Sequence, residues 1–281
     1  TSINKLHRAL DHPAVDLFTS PPSYVNREPG GDANSMMPTG SYALHGKLIY
    51  QDQDSRTHAV PESYRKNFTL AKLPEDMPET EGVLKRDLAH MIIRGYGLWW
   101  HAMVPGMYDE PPIRECIARL SEIGRRSLKF PRGTAPGVAM IVDEESSFHQ
   151  ECANRLLYPL LYHQRQFFWS RTGFAWETFL HNDLAHPDFM RPKMLCFLNT
   201  FYLGDGEVEE IRRQLRGIRA RTNRAADRVQ TQSARHPGAP EDYADQSRPS
   251  LSRRHADQPE GSLYFRRRRS PEFRDGTSGQ R

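Results

Sequence analysis

Two aspartates separated by one residue, Asp52 and Asp54, follow the apolar run Leu48-Ile49-Tyr50 and precede Ser55-Arg56-Thr57-His58. Carboxylates at the tip of a strand suit hydrolysis of a glycosidic bond, where one carboxyl attacks or activates water and another protonates the leaving oxygen. A second tip, Gly97-Leu98-Trp99-Trp100-His101, supplies indoles. Their flat faces pack against sugar C–H groups while the ring N–H still bonds a hydroxyl. A third tip runs Thr19-Ser20-Pro21-Pro22-Ser23-Tyr24 into Arg27 and a Pro29-Gly30-Gly31 turn. Arg56 and His45 are candidates to bond sugar hydroxyls or hold a carboxylate. Each residue also has an ordinary reading: the aspartates as solvated loop residues, His45 as a helix-end cap, Arg27 paired with Glu28 on the surface. Trp99 and Trp100 alternate across a strand, so one ring belongs to the core and only the other can face a cleft.

The elements that carry these residues follow from periodicity. Residues 2–10 read as the end of a helix, stopped by Pro13, and 15–20 as a buried strand. Residues 21–40, rich in Pro, Gly, Ser and Asn, form a long loop, and a second strand starts at Lys47. Val83, Leu84, Leu88, Met91 and Ile92 mark a helix near 80–95, and Ile113, Ile117, Leu120 and Ile123 another over 111–128. Strands alternating with helices, with polar loops after the strands, indicate βα units around a parallel sheet or barrel. A Pro/Gly linker over 131–137 separates this part, residues 1–131, from a second α/β unit over 136–216. That unit opens with the unbroken apolar strand Val138–Val142, continues with a long helix over 146–170, and has further strands near 174–180 and 194–198.

Composition divides the chain unevenly. Residues 217–281 hold 14 arginines, no lysine and few apolar side chains, which accounts for the basic balance of a chain that is otherwise slightly acidic. This segment buries too little apolar surface to offset its ordering entropy and reads as a disordered tail. An out-of-frame translation product and a nucleic-acid or membrane-surface tail are the alternatives. Overall charge therefore gives no nucleic-acid function to the remainder, and no apolar run is long enough to span a bilayer. Cys116, Cys152 and Cys196 have neither paired nor metal-ligand spacing. They read as free thiols, favouring a reducing, cytoplasmic setting.

The motifs Ser20-Pro21-Pro22-Ser23-Tyr24, Arg27-Glu28-Pro29-Gly30-Gly31, His45-Gly46-Lys47-Leu48, Asp54-Ser55-Arg56-Thr57-His58 and Arg94-Gly95-Tyr96-Gly97-Leu98-Trp99-Trp100 resemble bacterial glycosidase-like proteins related to the family 42 β-galactosidases. The likeness extends over roughly residues 12–215, and the part opening at Val138 is similar to the β-galactosidase trimerisation domain. The resemblance implies an α/β protein: the last βα units of a (β/α)8 TIM barrel, then a flavodoxin-like domain. It implies a retaining glycoside hydrolase acting on terminal β-galactosides or related β-glycosides, with the fragment inactive alone because its general acid/base Glu lies on an upstream strand. Asp52 stands where the family has its nucleophilic Glu, one methylene shorter. Tyr24, Arg27, His45, Arg56 and one of Trp99 and Trp100 would bind sugar hydroxyls or orient the nucleophile. No metal or organic cofactor is implied, and the second domain would join copies of the chain into a homo-oligomer. Carbohydrate is thus the expected partner, rather than nucleic acid or membrane. A catalytically degenerate carbohydrate-binding or structural relative is the alternative. A receiver-like reading of 136–216 would use Asp143-Glu144-Glu145 but lacks the strand-end lysine and phosphate loop.

Overall fold

The computed structural model describes residues 5–68, 71–130, 137–150, 160–161, 168–190, 192–219 and 266–267. The chain divides into two compact units, Thr1–Thr200 and Phe201–Arg281.

The first unit is α/β and contains two parallel sheets of three strands each. In the first sheet β1 (Leu17–Ser20), β2 (Leu48–Gln53) and β3 (Gly97–Trp100) lie in chain order. Leu17 pairs with Leu48, and Asp52 with Trp99. Helix α1 (Leu6–Asp11) precedes β1, α2 (Thr39–Leu44) precedes β2, α3 (Glu62–Asn67) follows it, and α4 (Met77–Arg94) leads into β3. Asp76 caps α4 by accepting the Glu79 N–H, and Gly95 ends it at φ +73°, a left-handed conformation that favours glycine. Helix α5 (Pro111–Ser127) follows β3 and lays Gly124 against Leu88 and Met91 of α4.

Alternation along the strands sends Phe18 and Ile49 into a core with Leu6, Leu10, Leu84, Leu88, Met91, Ile113 and Leu120. The opposite face carries Leu17, Leu48, Tyr50 and Trp99, all exposed. Helices therefore cover one face of this sheet.

The second sheet has β4 (Val138–Val142) at its centre, flanked by β5 (Trp176–Leu180) and β6 (Met194–Phe197). All five β5 residues are buried, as are Val138 through Ile141. Val138 and Met140 pack with Trp176 and Leu198 on one face. On the other, α2 lies so close that a Cβ on Gly40 would fall 2.6 Å from the Phe179 ring. Arg94 donates to Glu177 Oε2 at 2.7 Å and stacks on Trp176, while the Thr39 hydroxyl donates to Glu177 Oε1. Glu144 accepts the N–H groups of Leu6 and His7, at 2.7 and 3.2 Å. These bonds unite the parts that composition separates at 131–137, so both sheets belong to one compact unit.

The second unit contains a parallel pair of β7 (Tyr202–Leu203) and β8 (Arg266–Arg267), with residues 205–219 helical. Most of the expected tail lies outside the described residues, as do Cys152, the 131–136 linker and much of the helix expected over 146–170. Of that helix, α6 (Glu144–Phe148) is described, and residues 169–171 form a 3-10 turn. No helix among the described residues is long and apolar enough to cross a membrane.

Candidate functional site

The tips of β1, β2 and β3 lie side by side because the strands are parallel and in register. Asp52 is one residue from the end of β2, on the same face as Tyr50 and opposite Trp99 of β3. His101 continues the ladder, donating its backbone N–H to Gln53 O at 3.0 Å. Its ring Nδ1 lies 2.7 Å from Asp52 Oδ1. An ionised carboxylate only accepts, so Nδ1 donates. Trp99 is 39% exposed, and its ring stacks on Tyr50 with centroids 5.7 Å apart and planes 27° from parallel. Tyr50 lies flat because its strand partner is Gly97: a Cβ there would meet Tyr50 Cε2 at 2.6 Å. The result is an aromatic surface beside a carboxylate, the pairing that favours a sugar ring.

Behind Asp52 sits a buried ionic group. Asp54 accepts from Arg27 Nη2 at 2.6 Å on one oxygen and from Arg56 Nη1 at 2.6 Å on the other. Arg56 Nη1 also donates to Asp54 O, and its Nε and Nη2 reach the Tyr64 hydroxyl at 3.2 and 3.1 Å. The Asp54 side chain is only 3% exposed, which excludes the solvated-loop reading for this residue. Tyr24 covers Arg27, with the guanidinium carbon 5.1 Å from the ring centroid. Burial pushes the Tyr24 phenol up, and the negative charges of Asp54 and Asp52 push the same way against Arg27 and Arg56. Burial opposes the charge on Arg56, but Asp54 and Tyr64 outweigh it and raise its pKa.

Five of the sequence candidates therefore share this site: Tyr24, Arg27, Asp52, Arg56 and Trp99. Two do not. Trp100 turns its half-buried ring to the helix-covered core and makes an edge contact with Tyr108. His45 ends α2, ahead of β2, and so lies at the opposite end of the strand from Asp52. Its ring nitrogens face carboxylates instead, Nδ1 at 3.0 Å from Asp11 and Nε2 at 2.9 Å from Asp183. In a βα unit a residue that precedes the strand emerges at the bottom of the sheet, so His45 belongs to the contact with the second sheet. Tyr50 and His101 are additional members of the site. Strand alternation from Asp52 and Trp99 would have found the first, and the ladder position next to Gln53 the second.

The tips of the second sheet are occupied by their own side chains. Asp143, after β4, accepts the Glu145 N–H and the Ser146 hydroxyl. Asn199, after β6, accepts the Asp143 N–H at 2.8 Å and donates to Asp143 O at 2.7 Å. Lys5 and His7 engage Glu145 and Glu144. Among the described residues no group of three or more His, Cys, Asp or Glu side chains could hold a metal ion. Cys116 and Cys196 are free thiols, both pushed up by burial.

No family model, curated protein or solved structure matches this chain.

Proposed function

We propose that the β1–β2–β3 tips form the nucleophile half of a retaining glycoside hydrolase site for terminal β-galactosides or related β-glycosides. The observation that carries this reading is the Asp52 carboxylate, held by His101 beside the exposed Trp99–Tyr50 surface. Asp52 attacks the anomeric carbon, the bond to the leaving oxygen breaks, and a glycosyl ester forms; water then releases the sugar. Tyr24, Arg27 and Arg56 fix the loop around Asp52, and Trp99 carries the sugar face. Both Asp54 oxygens are engaged by arginines, and by the resemblance the proton for an ordinary leaving group comes from a Glu on an upstream strand.

Two features of the fold support the matching architecture. The first sheet runs in strict chain order with its helices on one face, as a segment of a (β/α)8 wall does, and its bare face carries apolar side chains. Parallel sheets are ordinarily covered on both faces. In the second sheet the first strand is central and the next two flank it, the order of a flavodoxin-like domain. By the resemblance, this domain joins copies of the chain into a homo-oligomer.

A β-galactoside with a dinitrophenolate leaving group tests the reading, since its departure requires no proton donor. The full chain is expected to release about one equivalent rapidly and then turn over slowly, as the glycosyl ester accumulates. The Asp52→Asn variant should lose the burst while sugar still quenches tryptophan fluorescence. Quenching with no burst in the wild type would instead favour the second reading, a carbohydrate-binding relative.

A further inference from the structure

We infer that His101 is the positioning residue that aims Asp52, an inference that rests on the reading of Asp52 as the attacking carboxylate. His101 is fixed at two points. Its backbone N–H extends the β2–β3 ladder to Gln53 O, and its ring Nδ1 donates to Asp52 Oδ1. The ladder bond sets the height of the imidazole above the sheet, and the ring bond turns the carboxylate about its own axis. Asp52 Oδ2 has no partner among the described residues, so one oxygen is tethered and the other is presented. An aspartate reaches one methylene less far than a glutamate, and a small error in the aim of a reacting atom is costly. A tether from the neighbouring strand answers that difficulty.

The imidazole is not a packing element, for its side chain is 43% exposed. Strand alternation puts His101 on the same side of the sheet as Trp99, whose strand partner is Asp52. The Nδ1–H tautomer leaves Nε2 as an acceptor turned away from the carboxylate.

Imidazole nitrogen shifts measured on the full chain, with its histidines labelled and the ring neutral, read the tether directly. His101 is expected to be the Nδ1–H tautomer in the wild type and to revert to Nε2–H in Asp52→Ala. The same tautomer in both proteins would overturn the inference. Burst kinetics with the dinitrophenyl galactoside give the second arm. His101→Ala should slow the burst about 100-fold with sugar saturation unchanged, and His101→Asn, whose amide N–H can replace Nδ1–H, should stay within about 3-fold of wild type. Equal losses in the two variants, or a loss confined to sugar saturation, would contradict it. If the wild type gives no burst, the nucleophile reading fails, and the tautomer measurement still decides whether His101 holds Asp52.

Discussion

The two parallel sheets of the first unit are built from the same kind of units but end differently. At the tips of β4 and β6, the Asn199 side chain bonds both backbone groups of Asp143, and the Asp143 carboxylate accepts from the first turn of α6, so the polar groups satisfy one another. At the tips of β2 and β3, Asp52 keeps one oxygen without a partner among the described residues, beside an exposed indole. The faces differ in the same sense: β5 is buried throughout, whereas alternate residues of β2 are exposed. A strand tip whose groups are mutually satisfied holds a fold together. One with an unspent carboxylate on a rigid ladder is available for chemistry.

Removing the buried ions beneath the open tip should break the comparison most severely. Asp54→Ala leaves Arg27 and Arg56 buried without their carboxylate, a loss of about 3–5 kcal/mol of stability measurable by urea unfolding. Gly97→Ala drives a Cβ into the Tyr50 ring and should cost about 1–3 kcal/mol while separating Tyr50 from Trp99, readable as weaker sugar quenching. Asp143→Ala at the closed tip removes a helix cap and should cost about 1–2 kcal/mol without changing the burst. A change in the burst would mean that the second sheet shares in the chemistry.

Alkaline titration sharpens the contrast further. Burial pushes the phenols of Tyr42, Tyr96 and Tyr108 well above their ordinary value, and Tyr24 upward as well. Below the ordinary tyrosine value of about 10 their contribution to stability is intact. Above it the unfolded chain releases protons that the folded chain keeps, so stability falls with rising pH. Tyr24, Tyr96 and Tyr108 lie with the first sheet and its helices, and amide protection at alkaline pH should weaken there before it weakens in β4. The smallest effect belongs to Trp99→Ala. An exposed ring contributes within about 0.5 kcal/mol to folding, yet its loss should abolish sugar-dependent quenching at the site.

Much of this arrangement was legible in the residues. β1, β2, β3 and the long helices α4 and α5 were marked by apolar periodicity and by the polar loops between them. The placement of Asp52 opposite an indole followed from strand tips alone. Helix α2 was hidden because it is six residues long and buried on nearly every side, so it shows no amphipathic stripe. His45 does end this helix, as its ordinary reading had it, while the motif in which it stands drew it to the candidate site. The ionic group around Asp54 was hidden for another reason: Arg27 comes from a different loop, and sequence spacing carries no sign of burial. Trp100 was undecided until the side of the sheet covered by helices was known.

Covalent trapping at Asp52 tests the central claim most directly. A fluoro sugar with fluorine at the second carbon and a dinitrophenolate leaving group forms an ester that hydrolyses slowly, and peptide mass mapping locates it. The account predicts one sugar on the peptide containing Asp52 and none in Asp52→Asn. A sugar attached elsewhere, or no attachment under conditions where the compound quenches Trp99, would contradict it.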